Sequence, residues 1–340
     1  SDREWVFSFK NGKYQTATHL EEVLPPLQSF LICKDINNDG LKDIITGDKR
    51  VKLYLNQTTD SVRFSQKALI LKYQDGTERT PIDFPSGEQP TLADVDNDGK
   101  TDILVFDSNG EWVIFYRNIS QNDEFLFERE TDKWGYFKEA GLNFEIILGA
   151  NKRGHPGSKL LAFDYENDGD MDLLLSDITT PYAYFLENGK ADLNLAHDSM
   201  ISLSEEFPFS ADFIDVPYFP SLSLVDVDFD GDDDLVCATS SRSPVLSGLV
   251  WYFENGHAHG YDFTLKTKSF LQNESIDAGI LASVATLDAD ADGDLDLIVS
   301  AVNNISEDIF SDQIAYLQYY ENIGNANAPH YTLKDDDYLG

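Results

Sequence analysis

Apolar positions along this chain come in short runs rather than in a helical stripe. Five of them, Ile44–Thr46, Ile103–Val105, Leu173–Leu175, Leu235–Cys237 and Leu297–Val299, each follow an acidic, glycine-containing segment. Short apolar runs bounded by turn signals read as buried β-strands. Further on in each case lies an aromatic-rich strand that ends in asparagine. These end at Asn56, Asn118, Asn188, Asn255 and Asn322. A turn follows, often with glycine (Gly189, Gly256, Gly324), and then a fourth strand such as 63–69 or 261–267. The pattern predicts an all-β chain of repeated units. Each unit has about four short strands and no convincing helix.

The acidic segments share one spacing. They carry acidic or amide side chains at positions 1, 3, 5 and 9 and a glycine at position 6. The first is Asp35, Asn37, Asp39, Gly40, Asp43. The second is Asp94, Asp96, Asp98, Gly99, Asp102. The third is Asp164, Glu166, Asp168, Gly169, Asp172. The fourth is Asp226, Asp228, Asp230, Gly231, Asp234. The fifth is Asp288, Asp290, Asp292, Gly293, Asp296. First positions are separated by 59, 70, 62 and 62 residues, so the loops recur in register. Carboxylates at alternating positions of a tight loop converge, and their mutual repulsion calls for a cation. Glycine at position 6 lets the backbone turn without a Cβ clash. An all-oxygen donor set on a flexible loop favours Ca²⁺ over Mg²⁺.

These residues are therefore expected to hold about five Ca²⁺ ions. The carbonyl of position 7 (Leu41, Lys100, Asp170, Asp232, Asp294) is expected to add a backbone oxygen. With Asn37 in place of a carboxylate, the first loop is expected to bind most weakly. An EF-hand is the rival reading. It needs a bidentate Glu at position 12 and a helix on each side. Position 12 is Thr46, Val105, Leu175, Cys237 and Val299, and the flanks read as strands.

Charge sharpens this picture. The chain of 340 residues has a formal net charge of −36. Bound calcium would offset part of it, but the surface stays acidic. That argues against nucleic acid and anionic membranes as partners. No transmembrane run or signal peptide is visible, so direct membrane insertion is not expected. Cys33 and Cys237 lie in different repeats and read as two buried free thiols. Calcium loops of this type are commonly weak. Only extracellular calcium, about millimolar, would keep them filled, so the expected location is the cell surface or the extracellular space.

Repetition at this period, with four strands per unit, is the sequence sign of a β-propeller. The expected layout is a single domain, 1–340. Residues 1–24 would form a half blade, and 25–84, 85–154, 155–215, 216–275 and 276–340 full blades. The segment 5–20 matches the third and fourth strands of a repeat without the first two. The expectation is a piece of a longer propeller, of six or seven blades. Two stretches carry extra length, 130–157 and 303–312. Trp134, Tyr136 and Phe137 in the first either pack it onto its blade or make contacts. Long loops on a rigid scaffold are where binding tends to reside.

The pattern D-x-D-x-D-G-x-x-D-[LI], with a later Tyr-Tyr-Glu-Asn (319–322) or Tyr-Phe-Glu-Asn (252–255), resembles the FG-GAP/VCBS repeat family. The resemblance implies a calcium-bearing propeller of the kind found in integrin α subunits and bacterial surface proteins. The run 319–333 looks most like secreted Bacteroidota members, many of which leave by type IX secretion. The literal Phe-Gly and Gly-Ala-Pro motifs are missing.

A fold does not set a function. No Gly-x-Ser-x-Gly elbow, His-Glu-x-x-His helix or phosphate-cradling loop appears, and no catalytic or cofactor-binding residue is assigned. His257 and His259 sit in a glycine-flanked turn and read as solvated. The leading expectation is a binding or scaffold module contacting a protein or glycan at a bacterial surface, as an adhesion or surface-complex component. The alternative is a polysaccharide-active lyase or hydrolase on a calcium-bearing propeller.

Overall fold

The computed structural model describes residues 6–10, 13–59, 62–121, 124–138, 158–216, 219–240, 248–257, 260–271, 280–303, 314–325, 327 and 329–338. Most of the 130–157 stretch, nearly all of 303–312, and His259 lie outside the described residues. The chain divides into two compact units. One comprises Ser1–Ser241 with Val250–Lys268, the other Arg242–Leu249 with Ser269–Gly340.

Among the described residues, the regular secondary structure is almost all β. The first unit opens with β1 (Phe7–Lys10) and β2 (Lys13–Thr16), a two-stranded antiparallel sheet. A single turn of helix, α1 (Thr18–Glu21), follows. Next comes an antiparallel sheet of β3 (Phe30–Lys34), β4 (Asp43–Gly47), β5 (Lys52–Tyr54) and β6 (Leu69–Ile70). A hairpin of β7 (Lys72–Asp75) and β8 (Glu78–Pro81) then departs from the four-strand pattern. It joins β9 (Thr91–Ala93), β10 (Asp102–Phe106), β11 (Val113–Asn118) and β12 (Phe127–Trp134) in a six-stranded sheet. There β7 pairs in parallel with the edge of β12.

Two four-stranded antiparallel sheets complete this unit. One is β13 (Ser158–Phe163), β14 (Asp172–Asp177), β15 (Ala183–Asn188) and β16 (Met200–Ser204). The other is β17 (Pro220–Val225), β18 (Asp234–Thr239), β19 (Val250–Asn255) and β20 (Phe263–Thr267). The second unit carries one more such sheet: β21 (Ile280–Leu287), β22 (Asp296–Asn303), β23 (Ile314–Asn322) and β24 (Tyr331–Asp335).

The alternation of strand side chains builds the core of the first unit. Successive residues of a strand point to opposite faces. On β10, Ile103 and Val105 pack with Ile45 and Leu53 of the preceding sheet. Their neighbours Leu104 and Phe106 pack with Leu160, Leu173 and Leu175 of the following one. On β14, Leu174 turns the other way, toward Leu222, Leu235 and Phe253. Sheets buried on both faces need continuous apolar runs, which is why these segments do not alternate with polar residues.

First strands of successive sheets lie next to one another, β9 by β13 and β13 by β17. Gln89 N–H donates to the Ser158 carbonyl at 2.9 Å, and Leu160 N–H donates back to Gln89 at 3.2 Å. Ser176 Oγ reaches the Pro220 carbonyl at 2.5 Å.

The cysteines are both free, as their spacing implies, but only Cys237 is buried; Cys33 is exposed. The cause is sheet position. Phe30 and Ile32 of β3 face the core shared with the next sheet. Leu31 and Cys33 face the other way, where Leu31 is also exposed.

Candidate metal centre

Each acidic loop joins the first and second strands of a sheet. The loops are folded by their own side chains. Position 1 takes up two backbone donors: Asp94 Oδ1 accepts from Asp98 N–H at 3.0 Å and Oδ2 from Gly99 N–H at 2.9 Å. Asp35, Asp164 and Asp288 do the same. Position 5 accepts from the N–H of position 7 in all five loops. Glycine at position 6 has φ between +84° and +102°, where only glycine sits without strain.

Position 4 is also left-handed, at Asn38, Asn97, Asn167, Phe229 and Ala291. Asparagine tolerates that region best among non-glycine residues, and here it also links loops. Asn38 Nδ2 donates to the Gly99 carbonyl at 3.2 Å, and Asn97 Nδ2 to the Gly169 carbonyl at 2.7 Å. The first three loops thus share one edge. The fourth is met by the amino-terminal hairpin: Tyr14 Oη donates to the Val227 carbonyl at 2.7 Å, and Phe9 packs against Phe229 at 5.0 Å.

Position 9 has a role the sequence reading missed. Asp43, Asp102, Asp172, Asp234 and Asp296 are all essentially inaccessible to solvent. In every repeat one oxygen accepts from the N–H of position 2, and the other from the N–H of the asparagine that ends the third strand. For Asp102 these are Val95 at 2.9 Å and Asn118 at 2.7 Å. Asp43, Asp172, Asp234 and Asp296 repeat the arrangement. The asparagine in turn ties down the next turn. Asn188 Oδ1 accepts from Lys190 and Ser199 N–H, and Asn322 Oδ1 from Gly324 and His330 N–H. The recurring Asp and Asn, 13 to 26 residues apart, therefore form a hydrogen-bonded staple across three strands.

Three loops bring carboxylates together. In Asp94, Asp96 and Asp102, in Asp226, Asp228 and Asp230, and in Asp288, Asp290 and Asp296, one oxygen from each residue lies within 4.8 Å of the others. Each triad could hold a metal ion. In the first loop, Asn37 Nδ2 donates to Asp39 Oδ2 at 2.9 Å, so the amide turns a donor into the cluster. In the third, burial and then the neighbouring Glu166 raise the pKa of Asp172.

The donor set fits a hard cation. Buried Oδ1 atoms of Asp170, Asp226, Asp232 and Asp294 have no hydrogen-bond partner, a costly state for a carboxylate unless something else meets it. Three of these are position 7 side chains, where the sequence reading assigned only a backbone carbonyl. The signal was present, since Asp occupies position 7 in three of five loops.

Burial, and after it crowding, shows in the protonation equilibria. Burial pushes the Asp102 and Asp170 carboxyls up to about 6, against hydrogen bonds from the backbone that pull down. Asp232 and Asp294 are raised by burial and then by the neighbouring carboxylates of their own loops. Asp296 goes the other way: burial raises it, but hydrogen bonds from Asn322, Ala289 and Tyr319 outweigh that.

The sign of the stability effect follows. A carboxyl with a folded pKa above its unfolded value stabilises most when protonated, and that contribution is lost as pH rises from about 4 through about 6. Metal-stripped protein is expected to have a higher urea midpoint at about pH 5 than at about pH 7. A midpoint that falls on mild acidification would show that burial does not raise these carboxyls.

Residues 35–105 and 226–299 match the model of the FG-GAP-like repeat. The chain carries FG-GAP-like repeats, and the matched segments include the first, second, fourth and fifth acidic loops. No curated protein sequence matches the chain. Among solved structures, it is similar to a chain of the Tc holotoxin pore of Photorhabdus luminescens. The identity is 13% and the TM-score 0.33, over 94% of this chain and 16% of that one. The chain therefore spans about a sixth of that protein's length. Among the described residues, no helix is long and apolar enough to cross a membrane.

Proposed function

We propose that this chain is a calcium-stabilised binding module acting outside the cell, built as a β-propeller, that contacts a protein or glycan at a cell surface. The observation that carries the reading is the repeated Asp-rich loop, with triads of oxygens within 4.8 Å on a hydrogen-bonded scaffold. The FG-GAP-like match supports it. Face-to-face packing of successive sheets, with their first strands adjacent, supports the propeller arrangement.

In this reading positions 1, 3, 5 and 9 hold the ion. The position 7 carboxylates of Asp170, Asp232 and Asp294 join the position 7 carbonyls as donors. Calcium takes 6–8 oxygens and tolerates irregular geometry, which suits loops of five or six donors plus water. Calcium supplies charge neutralisation and rigidity; the sheets supply the contact surface.

Calorimetric titration of metal-stripped protein tests the assignment. Several calcium ions should bind per chain, Mg²⁺ much more weakly, and the first loop last. No heat of binding at millimolar calcium would end this reading.

A further inference from the structure

One cavity of the first unit borders the second acidic loop, whose Val95 and Asp96 form part of its wall. Its volume is about 350 Å³, and it sits between β11, β12 and the segment that joins β15 to β16. That is within the range of small-molecule sites, roughly 300–1,000 Å³. We propose that it binds a pyranose unit of an uncharged glycan. This deepens the binding-module reading and rests on it.

The first argument is an exposed aromatic ring held in place. Tyr136 lines the cavity and is 43% exposed. Its sequence neighbours are not free to relax. Trp134 and Phe137 are 2% and 1% exposed and sit in the core. The Gly135–Tyr136 turn has φ of +71° and +49°. A bulky side chain in the left-handed region is uncommon, and such strain persists only where the surroundings impose it. Here Tyr136 N–H donates to the Lys133 carbonyl at 3.2 Å, and Met200 N–H donates to the Gly135 carbonyl at 2.8 Å. A Cβ at Gly135 would stand 3.1 Å from Met200 Cε and Phe137 Cδ1. The turn therefore fixes a tyrosine facing water beside the cavity. The His197 ring lies 6.0 Å from it at 42°, giving two aromatic faces at an angle.

The second argument is charge. The lining holds three cations, Arg117, Lys133 and Lys190, and three anions, Asp96, Glu130 and Asp198. Asp96 is also assigned to the ion of the second loop, which leaves Glu130 and Asp198 as the remaining anions of the lining. Most are already engaged with each other. Arg117 Nε lies 3.3 Å from Glu130, and Lys190 Nζ lies 3.2 Å from Asp198. Lys133 Nζ stands 4.6 Å over the Trp112 ring. Each cation of the lining is thus already partnered, which disfavours a charged occupant. The lining does offer many fixed donors and acceptors around an aromatic corner. A pyranose has the matching chemistry: one face of C–H groups to lie on Tyr136, and a rim of hydroxyls that both donate and accept.

The test uses the whole chain, in millimolar calcium, on a printed array of neutral, N-acetylated, uronate and sialylated glycans, followed by calorimetry with the best-bound uncharged glycan. Binding to uncharged glycans is expected. Tyr136→Ala should weaken it about tenfold or more, and Tyr136→Phe should keep it within about threefold, as for an aromatic anchor. Tyr136 is exposed and outside the acidic loops, so the Ala variant should keep the wild-type melting temperature and its calcium shift. Absence of glycan binding by folded, calcium-loaded protein would overturn the proposal. Binding confined to polyanionic glycans would overturn it too, as would binding indifferent to Tyr136→Ala. A peptide array signal abolished by Tyr136→Ala would give the cavity to protein instead. None of these outcomes touches the calcium titration, so failure of the glycan proposal and failure of the module reading are told apart.

Discussion

Stripping calcium from this protein is expected to lower its melting temperature by many degrees. The folded loops crowd carboxylates that the unfolded chain keeps apart. A ligand that binds only the folded state, at a hundredfold excess over its dissociation constant, adds about 2.7 kcal/mol per site. In domains of 150–250 residues, 1 kcal/mol moves the midpoint by about 2–4 °C; a longer chain moves less. Several sites acting together should still shift it on the order of 10 °C. The net charge of −36 works in the same direction, since bound cations relieve repulsion across the whole fold. Scanning calorimetry with millimolar calcium and with chelator measures the difference directly. Coincident melts would mean that the loops fold on their own hydrogen bonds and hold no ion of consequence.

That alternative is concrete, because the loops do make their own bonds. The sequence displayed the spacing of Asp94, Asp96, Asp98 and Asp102 and so pointed to a cation. It could not display that Asp102 also accepts from Asn118, sixteen residues away. Local spacing reports which side chains a turn can gather. It does not report what the far end of the next strand will bring alongside. The asparagines were visible as strand ends for the same reason, while their partner was not.

Strands were legible where burial on both faces demanded unbroken apolar runs, as at Ile103–Val105 and Leu173–Leu175. The β7–β8 hairpin was not, because its strands, Lys72–Asp75 and Glu78–Pro81, are largely polar and exposed. Its place is set by the parallel pairing of Tyr73 and Gln74 with Phe127 and Glu128, a long-range event without a local signature. Burial of Cys33 was misjudged in the same way. An apolar run shows that a strand exists, but which of its faces meets another sheet depends on its neighbours.

Two substitutions in the second loop should separate the staple from the metal site. Asp96 is exposed and makes one local bond, accepting from Asp98 N–H at 3.2 Å. Asp102 is fully buried and accepts from Val95 and Asn118 N–H. If Asp96 and Asp102 hold calcium as proposed, both Asp96→Ala and Asp102→Ala should be destabilised in its presence. In metal-stripped protein they should part. Asp96→Ala removes one of several crowded negative charges and leaves no buried donor behind, so its urea midpoint should match or slightly exceed wild type. Asp102→Ala leaves two buried N–H groups without acceptors, each costing about 1–3 kcal/mol. Relief of the buried charge offsets part of that, since the Asp102 carboxyl is raised to about 6 by burial. A net loss of about 2 kcal/mol should remain. Asp102→Asn keeps one acceptor and should fall between the two. If Asp102→Ala is harmless without metal, the position 9 carboxylate serves the ion alone. The link from loop to third strand would then be incidental to the stability of the sheet.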